Sequence, residues 1–208
     1  LTLLISGDRS SVGKSTFSLF LMASLLQLGF PASSLAYIKP VTQCEAEQPI
    51  SIFCKKNNIS CQGIGPVVFY SGFTRAFLDD TTKSSAELLQ DVREAVAHIS
   101  VGKRVVLVDG VGYPAVGSIC GVSNADVAAA LNVPVLLVGK SGVGDAVDSF
   151  NLNASFFELK GVRVLGTVFN KIPTEGFYSL EASKPYILSY FQKYRRDCEV
   201  YGLLPQLN

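Results

Sequence analysis

The sequence comprises 208 residues, of which 48% are hydrophobic and 17% are charged, and its formal net charge is +1. This length and composition match one domain with a large core and exclude an intrinsically disordered chain. The near-neutral charge argues against a nucleic-acid-binding surface, so we expect no nucleic-acid partner.

The cysteines and the histidine favour a reducing compartment and argue against zinc. The five cysteines include no CxxC pair and are odd in number, as is typical of free thiols, and His98 is the only histidine. No apolar run is long enough to span a membrane. We therefore expect an intracellular protein, in the cytoplasm or an organelle matrix. Residues 1–208 are expected to form one domain, alone or within a longer chain.

A glycine-rich loop near the amino terminus is the clearest motif. Residues 7–16 have the sequence Gly-Asp-Arg-Ser-Ser-Val-Gly-Lys-Ser-Thr and lie between an apolar run and a helical pattern over residues 15–28. A loop between a strand and a helix presents backbone N–H groups and the positive end of the helix dipole to phosphate. Lys14 is expected to reach the terminal phosphates, and the Ser15 hydroxyl to ligate Mg²⁺. The predicted nucleotide contacts of this loop are Gly7, Ser11, Val12, Gly13, Lys14, Ser15 and Thr16.

The rest of the chain alternates between strand and helix patterns. Strands are predicted at residues 35–38, 67–70, 104–109, 133–138, 162–169 and 199–201. Helices are predicted at residues 45–58, 83–100, 123–131, 145–159 and 180–195. Segment 71–80 is interpreted as a mixed aromatic and polar loop. The alternation predicts an α/β class with a mainly parallel sheet flanked by helices. Together with the glycine-rich loop at residues 7–16, it predicts a three-layer P-loop NTPase fold.

Two charged residues lie at the ends of predicted strands, on the sheet edge where α/β proteins bind ligands. Lys39 follows the strand at 35–38 and is either a solvated strand end or a phosphate or substrate contact. Asp109 closes the apolar strand at 104–109. An aspartate there, beside a phosphate-binding loop, is the usual second Mg²⁺ ligand, and the alternative is a turn or helix-capping aspartate.

Asn170 and Lys171 follow the strand at 162–169 and bear on the choice of base. A guanine site of the Asn-Lys-x-Asp kind needs an aspartate two positions further on, where this sequence has Pro173. Asn170 is therefore expected to pair with the amino group and N7 of adenine. The expected cofactors are ATP and Mg²⁺.

Over nearly its whole length the sequence resembles dethiobiotin synthetase and its relatives. The blocks that carry the resemblance are residues 7–16, 37–41, 108–112, 124–138, 140–144, 170–171 and 202–205. The wider group includes the cobyrinic-acid ligases, the MinD-like ATPases and the amino-terminal module of some bacterial phosphate acetyltransferases. The signature lysine of the MinD-like branch is replaced by Arg9.

This resemblance implies an ATP-dependent cyclo-ligase. Such an enzyme joins carbon dioxide to a vicinal diamine, and ATP activates the carbamate. The resemblance implies catalytic roles for Lys14 on the phosphates and Lys39 on the carbamate, with Ser15 and Asp109 as metal ligands. The expected partners are the nucleotide and either a second copy of the chain, as in a homodimer, or other subunits of a larger assembly.

Several positions depart from the synthetase pattern. The family has an aspartate that completes the metal site after the Lys-Pro strand, whereas residues 45–50 contain none, and Glu47 is the expected substitute. Arg9 and Ser11 replace acidic residues of the phosphate loop, and Asp109 stands where the synthetase has glutamate. We expect nucleotide binding to tolerate these changes more readily than catalysis does.

Two functions therefore remain open. One is an ATP-dependent ligase that activates a carbamate or a carboxylate. The other is a nucleotide-binding regulatory or structural subunit that has lost catalysis. A third, a dimerising ATPase of the MinD kind, is disfavoured by Arg9.

Overall fold

The computed structural model describes residues 1–43 and 46–206. The strands are β1 (Thr2–Gly7), β2 (Leu35–Ile38), β3 (Val41–Thr42), β4 (Ser60–Gln62), β5 (Val67–Val68), β6 (Val105–Asp109), β7 (Val135–Gly139), β8 (Val164–Ile172) and β9 (Glu199–Pro205). The α-helices are α1 (Lys14–Gln27), α2 (Pro49–Lys56), α3 (Phe73–Leu78), α4 (Ser85–Ser100), α5 (Asn124–Leu131), α6 (Gly144–Leu159) and α7 (Leu180–Tyr194). Strands and helices alternate along most of the chain, as the sequence predicts.

A seven-stranded parallel sheet forms the middle layer. Its strand order is β4-β2-β6-β1-β7-β8-β9, and strands β3 and β5 pair separately. β1 is central, with β6 on one side and β7 on the other, and Ile5 lies opposite Asp109 in the register. Since all these strands are parallel, the carboxyl ends of β1, β2 and β6 lie at the same edge of the sheet. The predicted three-layer α/β fold is confirmed.

Alternation along the strands divides the core between the two faces of the sheet. In β1, Leu3 and Ile5 pack with Met22 of α1 and with α2. Leu4, on the opposite face, belongs to a larger cluster that includes residues of α4, α5, α6 and α7. Apolar residues on both faces are expected of a parallel sheet covered by helices. This packing holds the start of α1 against the end of β1.

Serine hydroxyls cap three of the helices. Ser84 and Ser123 form capping boxes at the starts of α4 and α5, and Ser179 accepts a hydrogen bond at the start of α7. Such caps satisfy backbone N–H groups that have no partner within the helix. The predicted cap at Ser123 is confirmed.

The sequence predictions and the structure differ in several segments. The helix predicted at 45–58 begins only at Pro49, the position in a helix where proline fits best, and Glu45 lies outside the described residues. Segment 71–80 was wrongly predicted as a loop, because burial of Phe73 supports the short helix α3 there. Strands β3 and β4, of two and three residues, carry too little pattern to be predicted. β8 extends through Asn170 and Lys171 because it pairs with a longer β9.

Within the described chain, no helix is both long and apolar enough to cross a membrane.

Candidate functional site

The glycine-rich loop connects the end of β1 to the start of α1 in a conformation that depends on glycine. Gly13 has a φ of 95° and Ser11 a φ of 60°, both in the left-handed region. A Cβ at Gly13 would overlap the Asn170 side-chain nitrogen, so that position admits no larger residue without rearrangement. A Cβ at Gly7 would lie 2.8 Å from the carbonyl oxygen of Arg9. The loop is therefore tightly wound against β1 and β8.

The amino terminus of α1 is open towards this loop. Within the described part of the chain, no side chain caps it and no acidic residue lies in its first turn, in contrast to α4, α5 and α7. The first N–H groups of a helix have no intrahelical acceptor and favour an anion. A cleft of about 510 Å³ lies over this helix end and is lined by Arg9, Ser10, Ser11, Val12, Gly13, Lys14, Ser15, Thr16, Lys39, Gln43, Gln48, Val111, Gly112 and Lys171. Its size, basic lining and helix end suit a polyphosphate.

The carboxylate of Asp109 is the electrostatic centre of the site. It is fully buried, and its Oδ1 lies 2.6 Å from Lys14 Nζ. Tyr37 donates a hydrogen bond of 2.7 Å to Oδ2, and Lys39 Nζ lies 3.9 Å from the same oxygen. A buried carboxylate is tolerated only when cations and hydrogen-bond donors surround it. The structure thus brings together the predicted residues Lys14, Lys39 and Asp109.

Tyr37 is a site residue that the sequence analysis placed only in a strand. Burial raises the pKa of its phenol well above the usual range, and the negative charge of Asp109 raises it further. The hydroxyl therefore stays protonated and donates to the carboxylate. A buried tyrosine generally needs a hydrogen-bond partner for its hydroxyl. A tyrosine in an apolar strand beside the phosphate loop therefore indicates that a polar group of the site lies next to it.

Gln48, rather than Glu47, lies beside the predicted metal ligand Ser15. The Gln48 side-chain oxygen accepts a hydrogen bond of 3.4 Å from the Ser15 hydroxyl and one of 3.3 Å from Lys39 Nζ. Glu47 forms an ion pair with Lys55, and its side chain is 41% exposed. A neutral amide at this place could not be predicted from a pattern in which a carboxylate is the expected metal ligand.

Asn170 and Lys171 hold the phosphate loop from the side of β8. The Asn170 amide donates a hydrogen bond of 3.0 Å to the Val12 carbonyl, and Lys171 Nζ donates one of 2.8 Å to the Ser11 carbonyl. A second cleft, of about 470 Å³, adjoins the first and is lined by Gly13, Thr16, Phe17, Phe20, Asn170, Lys171, Leu204, Pro205 and Gln206. Its apolar and aromatic lining suits a planar base.

Asn124 fixes the loop that forms the other wall of the phosphate cleft. This buried amide accepts from the Val111 N–H at 2.9 Å and donates to the carbonyls of Val111 and Tyr113 and to the Ser6 hydroxyl. A Cβ at Gly110 would lie 2.7 Å from its oxygen, so glycine is needed for this close approach. From the sequence, Asn124 is predicted only to lie in the helix at residues 123–131.

The oxygen-rich composition of the site fits a hard cation. The Ser15 hydroxyl, the Asp109 carboxylate and the Gln48 side-chain oxygen are the kinds of ligand that Mg²⁺ takes, together with phosphate oxygens and water. Among the described residues, no group of three or more His, Cys, Asp or Glu side chains is arranged to hold a metal by itself. Any Mg²⁺ here would therefore depend on the phosphates for part of its coordination.

The fold and the site define a nucleotide-binding P-loop domain. The strand, the glycine-rich loop and the uncapped helix carrying Lys14 and Ser15 form its phosphate site. A family model described as an AAA domain matches residues 1–208, and the chain belongs to that family. A search of curated proteins found no significant match.

Solved structures of low sequence identity share the fold. A MinC:MinD cell division complex from Aquifex aeolicus is 13% identical and has a TM-score of 0.56, over 99% of this chain and 81% of that one. Apo McdA from Cyanthece is 12% identical with a TM-score of 0.57, over 100% and 86%. FlhF complexed with GMPPNP and Mg²⁺ is 17% identical with a TM-score of 0.52, over 97% of this chain but only 63% of that one. These similarities establish the P-loop NTPase fold.

The Tyr37–Asp109 hydrogen bond should contribute measurably to stability. We expect Tyr37→Phe to lower the free energy of unfolding by about 1–3 kcal/mol, because the variant removes a donor to a buried charge. Urea unfolding measures the change. Tyr201→Phe, at a side chain exposed to solvent, is the matched control and should change stability by less than about 0.5 kcal/mol.

A double-mutant cycle with Asp109→Asn tests whether the two residues act through each other. We expect a coupling energy of at least about 1 kcal/mol, as found for residues in one buried network. Additive effects of Tyr37→Phe and Asp109→Asn would contradict the assigned contact.

Proposed function

We propose that the chain binds ATP with Mg²⁺ and uses the ATP to activate a carbamate or a carboxylate. The observation that carries this proposal is the convergence of Lys14 and Lys39 on Asp109 at the cleft over the open end of α1, which Ser15 also lines. In phosphoryl transfer, catalysis comes mainly from charge neutralisation and in-line placement, and this cluster offers both kinds of group. We also propose that residues 1–208 act as one domain.

In the proposed complex, the phosphates compete with Asp109 for Lys14. The lysine is the first residue of α1, and its 2.6 Å contact with Asp109 would be exchanged for contacts with the β- and γ-phosphates. Asp109 and Ser15 would then hold Mg²⁺, which neutralises phosphate charge when bound. Gln48 would add a neutral oxygen or a water-mediated contact.

Lys39 is the candidate contact for the acceptor substrate. It follows β2 and lies near the second oxygen of Asp109, on the other side of the carboxylate from Lys14, and its side chain is only 6% exposed. A buried cation at this place would stabilise the negative charge of a carbamate or carboxylate as it is phosphorylated. This role follows the resemblance to dethiobiotin synthetase.

The second candidate function is a nucleotide-binding subunit with little or no catalysis. Gln48 favours it, because an amide beside Ser15 supplies no negative charge to hold the metal. The Glu47 carboxylate is paired with Lys55, and the side chain that contacts the Ser15 hydroxyl is that of Gln48. The MinC:MinD complex among the similar structures supports a domain that assembles with a second copy or with other subunits.

Nucleotide binding should depend on Lys14. We expect titration calorimetry to detect Mg-ATP binding by the intact protein, and Lys14→Met to weaken it at least about a hundredfold, because a charge-assisted contact to phosphate is lost. Lys184→Met, on the exposed surface of α7, is the matched control and should leave affinity unchanged. Because Lys14 also neutralises Asp109, thermal unfolding must show that Lys14→Met is folded. No binding by the parent protein at millimolar nucleotide would refute the assignment.

ATP should be preferred over GTP. Asn170 uses one N–H on the Val12 carbonyl, and its amide has a second N–H and a carbonyl oxygen for the N7 and amino group of adenine. We expect ATP to displace a fluorescent nucleotide at a concentration at least about tenfold below that of GTP. Equal or stronger displacement by GTP would contradict this assignment of the base.

Dethiobiotin synthetase activity should be absent or weak. With Gln48 in place of a carboxylate, the loss of one metal contact is expected to reduce the rate by about a hundredfold or more. The measurement is ATP turnover with diaminopelargonic acid and bicarbonate, beside Lys39→Ala and Asp109→Ala. Gln48→Asp, which restores a carboxylate, should raise turnover. Robust diamine-dependent turnover by the parent chain that both alanine variants abolish would show a working synthetase.

A further inference from the structure

The first residue after β1, Asp8, is a buried acid in a loop that otherwise suits anions. Its side chain is only 1% exposed, and in contrast to Arg9 it does not line the phosphate cleft. Burying a carboxylate costs free energy unless polar partners surround it, and this one adds negative charge close to a phosphate site. Direct contact with phosphate therefore does not explain Asp8, and its hydrogen bonds to neighbouring elements have to.

Asp8 joins the phosphate loop to β7 and to the helix that follows it. Its Oδ2 accepts a hydrogen bond of 3.1 Å from the backbone N–H of Lys140 and one of 2.8 Å from the Ser149 hydroxyl of α6. The backbone of Asp8 is held as well, because its N–H donates to the Val138 carbonyl at 2.9 Å and its carbonyl accepts from the Asn153 amide at 3.2 Å. Four hydrogen bonds thus fix this one residue.

The other carboxylate oxygen of Asp8 lies beside the guanidinium of Arg9. Arg9 Nε is 3.8 Å from Oδ1, and Oδ1 is buried without a hydrogen-bond partner among the described residues. At this distance the contact is an ion pair without a hydrogen bond. The anchoring of the loop therefore depends on Oδ2, and the oxygen of an amide in the same position could accept the same two hydrogen bonds.

The length of the loop explains why it needs an anchor at its start. Five residues separate Gly7 from Gly13, whereas the common phosphate-loop pattern has four. A longer loop loses more conformational entropy when it is held in one shape. Its far end is tied to β8 through the carbonyls of Ser11 and Val12. The hydrogen bonds of Asp8 hold the near end against α6.

We propose that Asp8 is a positioning residue whose carboxylate holds the start of the phosphate loop in the shape that binds the nucleotide phosphates. Asp8 acts through the backbone of the loop and does not itself contact phosphate. A loop that is ordered by folding has less entropy to lose when the ligand binds, and affinity rises accordingly. This inference rests on the proposed function, because it assigns Asp8 a role in the affinity of the nucleotide site.

Calorimetric titration of Mg-ATP into the full chain measures the effect on affinity. We expect Asp8→Ala to weaken binding at least about tenfold, because both hydrogen bonds to Oδ2 are lost. Asp8→Asn keeps an acceptor oxygen and should bind within about threefold of the parent. Ser149→Ala removes one of the two hydrogen bonds and should give an intermediate loss. Asp148→Ala, at an exposed acid on the same helix, is the matched control and should bind like the parent.

Hydrogen–deuterium exchange of the nucleotide-free protein separates positioning from a general loss of stability. The backbone amides of residues 8 and 140 are both hydrogen-bonded in the parent. In Asp8→Ala we expect them to exchange at least about tenfold faster, while the amides of α4 exchange as in the parent. Asp8→Asn should restore slow exchange at both positions. Faster exchange throughout the protein, or unchanged exchange at residues 8 and 140, would overturn the proposal.

The titrations also separate failure of this inference from failure of the proposed function. Parent-like affinity of Asp8→Ala for Mg-ATP would overturn the inference alone. Binding by Asp8→Asn as weak as that by Asp8→Ala would overturn it too, because the acceptor oxygen would then not be the part of Asp8 that matters. Absence of Mg-ATP binding by the parent would overturn both the inference and the proposed function.

Discussion

The rest of the site depends on the contacts of the buried Asp109 carboxylate with the side chains around it. Three elements supply its partners: α1 provides Lys14, β2 provides Tyr37, and the segment after β2 provides Lys39. A buried carboxylate that loses its partners is strongly destabilising, by about 3–5 kcal/mol in measured cases. The arrangement of the phosphate loop, β2 and β6 is therefore linked to the stability of the core. Positions of functional groups are set by the same forces that hold the sheet together.

This pairing has a consequence for how a ligand is bound. Moving Lys14 to the phosphates removes the closest cation from Asp109, while Tyr37 remains and Lys39 lies 3.9 Å away. The charge left on the carboxylate is compensated if a divalent cation arrives together with the phosphates. Metal and nucleotide are thus expected to bind cooperatively, since each reduces an electrostatic cost that the other creates.

Much of the fold was predictable from the sequence because each signal is local. The helix and strand periods fix the alternation, and the loop at 7–16 fixes the carboxyl edge of β1 as the binding edge. The pairing of Lys39 with Asp109 is less local, but both follow strands, and strand ends of a parallel sheet meet. These regularities explain why Lys14, Lys39 and Asp109 were identified together.

The partners that sequence analysis missed share one property: their roles arise from tertiary packing. In the sequence, nothing distinguishes Tyr37 from the other residues of its apolar strand. Its role arises from the neighbouring strand, which places Asp109 Oδ2 2.7 Å from the Tyr37 hydroxyl oxygen. The role of Asn124 arises from the contact between its amide and the turn at Val111, which the sequence pattern of a helix does not reveal. Gln48, unlike Glu47, carries no charge that would mark it as a residue of the site. The helix start at Pro49 decides the last case, because it sets which side chain points towards Ser15.

The contrast between Gln48 and Glu47 also bears on what the protein does with a nucleotide. Cationic side chains of Arg9, Lys14, Lys39 and Lys171 line the phosphate cleft, and Asp109 is the carboxylate in contact with two of them. Such a surplus of positive charge favours polyphosphate binding with or without catalysis. Transfer of a phosphoryl group has a further requirement, because the metal must be held in a fixed position relative to the acceptor. A neutral amide beside Ser15 would weaken the proposed metal site and leave the groups that bind phosphate unchanged, so nucleotide binding and catalysis could separate at this one residue.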